Sequence, residues 1–179
     1  AVQKASENYD AVIFVGGLNH DHDAEGNDRS DMKLPYEQDE LIKELLEIRS
    51  DMIVVMYAGS PVDMTLWADQ AQAILWSYYA GMEGGNALAD VLFGNVNPSG
   101  KLAETLYENK DGCSAHVLGE FPGDDKVHYT EGKLIGYRYN DTAKIAPLYC
   151  FGHGLSYTTF SYSDPVIREE NGVRKISCT

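Results

Sequence analysis

The chain has 179 residues, enough for about one domain with a real core, and its 28 acidic against 14 basic side chains give a formal charge of −14. That balance argues against a nucleic-acid partner, which needs a basic face. No apolar run reaches membrane-spanning length, so no membrane partner is expected, and the opening AVQKASENYD has neither the basic start nor the apolar centre of a signal peptide.

In chain order, Ala11 to Gly16 (AVIFVG) is a short apolar run closed by Gly-Gly, which predicts a buried parallel strand. A polar loop rich in Gly and Asp follows. Leu34-Pro35 then introduces a helix from about Tyr36 to Arg49, with Leu41, Ile42, Leu45, Leu46 and Ile48 on one broad face. Asp51 to Ala58 reads as a second buried strand, stopped by Gly59-Ser60-Pro61, and a second helix is predicted from about Pro61 to Gln70. Ala73 to Tyr79 reads as a third strand, and about Asn86 to Phe93 as a third helix. Strands alternating with helices at this spacing predict βαβ units and a parallel sheet covered on both faces.

Beyond Gly100 the pattern changes. Residues 107–130 predict a long loop, Lys133 to Asn140 alternates like a strand, and Cys150 to Tyr157 is a turn-rich aromatic segment. From Thr158 two short runs flank Asn171-Gly172, the signal of a type I′ hairpin. Such a pair is not stable alone, so it reads as the start of a further β domain. Cys113, Cys150 and Cys178 are an odd set without CxxC spacing and read as free thiols. They point to a reducing, cytoplasmic setting, with a secreted or periplasmic one as the alternative. Without an initiator Met, the chain reads as processed, trimmed or a fragment.

Chemistry concentrates in HDHDAEGNDR, His20 to Arg29. Three readings stand side by side. The HxH pair and its carboxylates have suitable metal-ligand types, although no second His pair follows downstream. The segment also reads as a plain solvated acidic loop. As an acid/base loop, Glu25 would donate a proton across a cleft, with Asp28 and Arg29 forming a local salt bridge that fixes the loop. Met82 to Asn86 lacks the spacing of a nucleotide loop and reads as a tight turn into a helix. No GxSxG is present. No cofactor is expected.

Four blocks carry a family resemblance: EGNDRSDMKLPYEQDELI, AILWSYYAGMEGGNALADVLFGNVNPSGKLAETL, YTEGKLIGYRYND and PLYCFGHGLSYTTFSYSD. From about Tyr9 to Asp164 the chain resembles the second domain of glycoside hydrolase family 3, the β-glucosidase-type enzymes. GNVNPSGKL and FGHGLSYTTF, in that order, are the most specific. The resemblance implies an incomplete (α/β)6 sandwich over residues 1–157 and the first strands of a truncated fibronectin type III-like domain over residues 158–179. It also implies a TIM-like barrel elsewhere in the same parent protein, bearing an Asp nucleophile, and a Glu on a sandwich-domain loop as acid/base. The Glu before Gly and upstream of Asp-Arg corresponds to Glu25. The implied activity is retaining, exo-acting hydrolysis of terminal β-D-glycosyl residues from oligosaccharides or aryl and alkyl β-glycosides, and the chain by itself is expected to be inactive. With neither the barrel nor the domain's first strands in the sequence, at least one normally paired strand edge is expected to be open. The competing reading is a non-catalytic structural or carbohydrate-facing module.

Overall fold

The structure, a computed structural model, describes residues 7–178. β1 (Ile13–Gly17), β2 (Ile53–Tyr57) and β3 (Ala73–Trp76) form one parallel sheet in the order β1-β2-β3. Ile13 lies opposite Ile53 and Gly17 opposite Tyr57, so the C-terminal ends of the first two strands finish level. Loops leaving those ends meet above the sheet, where sites are built in such folds. β2 is central, and Val54, Val55 and Met56 are fully buried. Its unbroken apolar run follows from that, since both its faces are covered.

The two faces of the sheet are not equal. Val54, Met56, Phe14, Ile74 and Trp76 join the main core, together with Ile42 and Leu46 of α1 (Gln38–Ile48), Met52, Val62, Met64 and Trp67. On the opposite face Ile13 and Val15 stay 41% and 58% exposed. Cover on both faces therefore holds at β2 and fails at β1, which among the described residues pairs on one side only. Helix α1 buries a narrower stripe than expected. Ile42 and Leu46, one turn apart, are buried, whereas Leu41 and Ile48 remain exposed. In its first turn the buried Asp39 accepts hydrogen bonds from Trp67 Nε1 (2.9 Å) and Leu34 N (3.0 Å), which satisfies a carboxylate inside the core.

The predicted helix over 61–70 is not formed; only a 3-10 turn at Ala68–Gln70 appears. Val62 and Met64, two residues apart, are both buried, a spacing that suits extended chain. Asp63 N donates to Met32 O (2.7 Å), and the Asp63 carboxylate caps Thr65, so turning starts only there. The next helix, α2 (Gly84–Leu92), lies close to its expected place.

Within the expected loop 107–130 stand a 3-10 turn (Lys110–Gly112) and the single-turn helix α3 (Ser114–Val117). The strand expected over 133–140 is instead the helix α4 (Tyr137–Ala143). Gly132 (φ 58°) and Gly136 (φ 59°) break the alternating run, and the buried Asn140 carboxamide donates to Gly112 O (3.0 Å). Local glycine geometry and one buried hydrogen bond override the period of two.

The segments GNVNPSGKL and FGHGLSYTTF interlock. Asn97 exchanges hydrogen bonds with the Ser156 hydroxyl (2.9 and 3.1 Å) and accepts from Tyr157 N (2.8 Å), while Leu102 N donates to His153 O (2.8 Å). β4 (Val166–Glu170) and β5 (Val173–Ser177) form the expected antiparallel hairpin, with Asn171 and Gly172 both at positive φ. Every residue of both strands is exposed. The three cysteines are unpaired. No described helix is long and apolar enough to cross a membrane.

Candidate active site

The loop leaving β1 starts from a fixed point. Gln38 Oε1 accepts from Gly17 N (2.8 Å) and Gln38 Nε2 donates to Gly17 O (2.9 Å), so one side chain satisfies the end of the strand as a neighbouring strand would. Gly17 has φ 139°, and a Cβ there would overlap the Tyr57 carbonyl. Only glycine fits.

Two clamps then hold the loop over the sheet. Asp23 Oδ2 accepts from Tyr79 O–H (2.7 Å) and Gly59 N (3.2 Å). Arg29 Nη2 donates to Pro61 O (2.8 Å) and Ser60 Oγ (3.0 Å). Both clamps reach the segment that follows β2. The expected Asp28–Arg29 salt bridge is absent among the described residues, because the guanidinium points to Ser60 and Pro61 instead.

Between the clamps Ala24 and Asn27 pair across a tight turn, with Asn27 N donating to Ala24 O (3.3 Å). Glu25 and Gly26 form its tip, and Gly26 takes φ 78°, which suits the third position of such a turn. Glu25 is exposed and makes no hydrogen bond or ion pair to any described residue. The one sequence-predicted catalytic residue therefore sits on the tip of a turn whose two feet are anchored.

Among the described residues no group of three or more His, Cys, Asp or Glu side chains gathers as a metal site. His22 Nδ1 lies 3.0 Å from Asn19 Oδ1, and its ring meets Tyr36 edge-on at 5.2 Å. Tyr36 and Glu37 both take left-handed backbone (φ 62° and 56°), which bends the chain sharply into α1.

Burial and the neighbouring Asp23 push the Tyr79 hydroxyl up to about 12, so the phenol keeps the proton it shares with Asp23. Glu104, half-buried, is pushed upward by burial and by the Asp23 charge, and its buried Oε1 finds no hydrogen-bond partner among the described residues. A cleft of about 530 Å³ opens beside the turn, between residues 22–33 and the 109–121 segment. Sequence reasoning missed the clamping roles of Asp23, Tyr79 and Gln38, and this cleft. A usable signal was present: parallel strands bring their C-terminal loops together, so the stop Gly59-Ser60-Pro61 had to lie near the loop after β1.

The profile of the Glycosyl hydrolase family 3 C-terminal domain matches residues 1–157. The β-glucosidase BoGH3A of Bacteroides ovatus is 49% identical over 172 residues, covering 93% of this chain and 23% of its own length. Thermostable β-glucosidase B of Acetivibrio thermocellus is 47% identical over 163 residues, covering 90% and 21%. Among solved structures, the family 3 β-glucosidase of Bifidobacterium adolescentis superposes with a TM-score of 0.88 at 37% identity, over 98% of this chain and 26% of that one. The chain thus spans about a quarter or less of the length of these relatives. On a profile match over most of its length and on these likenesses, the chain belongs to the C-terminal domain of glycosyl hydrolase family 3.

Proposed function

We propose that this domain supplies the general acid/base, Glu25, to a retaining, exo-acting β-glycosidase that removes terminal β-D-glycosyl residues, with the nucleophile carried by a barrel domain of the same parent protein. The observation that carries the reading is the setting of Glu25: an exposed, unpaired carboxyl on an anchored turn, at the edge where the loops of a parallel sheet converge. The similar proteins are named β-glucosidases, and a solved one from Streptomyces venezuelae is described in complex with D-glucose.

Retaining hydrolysis sets two carboxyl groups about 5–5.5 Å apart across the glycosidic bond. In this reading the barrel carboxylate attacks the anomeric carbon while Glu25 gives its proton to the departing oxygen. Glu25 then takes a proton from the water that releases the sugar. The hairpin β4–β5, exposed along its whole length, is read as the opening of a β-sandwich of fibronectin type III type.

The test is Glu25→Ala in the full-length protein. Turnover of alkyl glycosides falls by about 10²–10⁴-fold, activated aryl glycosides lose far less in their first step, and azide restores rate by replacing the deprotonated water. In the same series the 179-residue chain alone turns over neither substrate. Equal losses on both leaving groups, without azide rescue, would remove Glu25 from the acid role.

A further inference from the structure

Of the two clamps on the loop, one stands two residues before Glu25. Asp23 Oδ2 accepts from both the Tyr79 hydroxyl (2.7 Å) and Gly59 N (3.2 Å), so one oxygen gathers the chain leaving β1, β2 and β3. The junction is close-fitting. A Cβ on Gly59 would lie 2.7 Å from Tyr79 Cε2 and 3.1 Å from Asp23 Oδ2, so a larger residue there must push the ring or the carboxylate away. Burial and Asp23 hold the Tyr79 hydroxyl up to about 12, which keeps it a donor at neutral pH. Both bonds end on a carboxylate, and such charge-assisted hydrogen bonds are about twice as strong as neutral ones.

Beyond that junction little else restrains the tip. One backbone bond closes the turn, Asn27 N to Ala24 O at 3.3 Å, and Glu25 makes no hydrogen bond or ion pair to any described residue. The Arg29 clamp lies past the second foot of the turn. Two residues of extended chain span at most about 7 Å, so the place of Asp23 confines where the Glu25 carboxyl can stand. An acid acting on a bond held by another domain must be placed closely, since a misplacement of about 1 Å can cost about 100-fold in rate.

We propose, resting on the acid role of Glu25, that Asp23 is its positioning residue: joined to Tyr79 and Gly59, it sets the height of the turn from which the acid reaches the departing oxygen. Asp23 and Tyr79 touch no substrate in this arrangement. They act only through where the turn stands.

The experiment places Asp23→Ala, Asp23→Asn and Tyr79→Phe in the full-length enzyme. It follows kcat/KM on an alkyl β-glucoside, whose departing oxygen needs a proton, beside an activated aryl β-glucoside, whose oxygen does not. In Asp23→Ala the alkyl glucoside loses about 10–100-fold, mainly through kcat, and the aryl glucoside stays within about threefold. Asp23→Asn, whose carboxamide oxygen accepts the same two bonds, recovers most of the loss. Tyr79→Phe keeps the Gly59 bond and falls between, and it carries the same comparison if Asp23→Ala does not fold. Adding Asp23→Ala to Glu25→Ala costs nothing further on the alkyl glucoside, because a residue acting only through Glu25 then has nothing to position.

Equal losses on both glucosides, or a further loss in the double variant, would mean that Asp23 supports the fold at large. Asp23→Ala and Tyr79→Phe variants as fast as the unchanged enzyme on the alkyl glucoside would mean that the turn needs no such anchor. Either result overturns the positioning role, while azide rescue of Glu25→Ala keeps the acid role standing. Glu25→Ala with equal losses and no rescue overturns both.

Discussion

Trp67→Phe probes the buried polar contact beneath the site. Trp67 is fully buried, and its indole N–H meets Asp39 Oδ1 at 2.9 Å; among the described residues the only other hydrogen bond to that carboxylate comes from Leu34 N. A hydrogen bond to a charged acceptor contributes roughly 1.5–3 kcal/mol, and the smaller ring forfeits roughly 1 kcal/mol of core contact. The variant should therefore lose roughly 2.5–4 kcal/mol at neutral pH, a fall in Tm of roughly 5–15 °C for a chain of this size.

The pH dependence is the sharper signature. Burial pushes Asp39 above its ordinary 3.8, with Trp67 and Leu34 pulling it back. A carboxyl raised on folding contributes stability that is fully present below the unfolded value and fades as pH rises through the folded one. Removing the indole donor pushes the folded value higher still. The difference between variant and wild type should then be smallest near pH 4 and grow toward pH 7. Urea denaturation of this chain, followed by circular dichroism at both pH values, measures it. A difference that does not change with pH, or one below about 0.5 kcal/mol at neutral pH, would refute the idea that Asp39 depends on the indole.

Two further outcomes test the frame of the loop. Tyr79→Phe should remove a tyrosine that ionises near pH 12 in a spectrophotometric titration, because Tyr79 is held up by burial and Asp23. In the wild type the Tyr79–Asp23 clamp contributes below pH 10 and is lost between 10 and about 12, so alkaline unfolding of the variant should lack that window. Gly17→Ala should destabilise by at least about 1–3 kcal/mol from the backbone angle alone, and by more because its Cβ meets the Tyr57 carbonyl, which chemical denaturation reads directly.

The strands and two of the helices were legible because apolar spacing alone fixes them: β2 reads as an unbroken run since it is buried on both faces, and α1 by Ile42 and Leu46 one turn apart. Asn171-Gly172 announced the hairpin, since both residues tolerate positive φ. Where tertiary contacts overrule local pattern, reading failed. Residues 61–70 stay mostly extended because Asp63 N pairs with Met32 O, and 137–143 coil because glycines break the run before them. A loop position for Glu25 followed from the glycines and aspartates around it. The clamps did not, because Asp23 to Tyr79 and Arg29 to Pro61 join residues 56 and 32 positions apart, and composition carries no record of such pairs.

The isolation of Glu25 has an evolutionary side. A residue that is exposed and makes no hydrogen bond or ion pair to any described residue can be replaced with little cost to the scaffold, so folding exerts little selection on its identity. Stability of the scaffold and the identity of the tip residue can thus change nearly independently of each other.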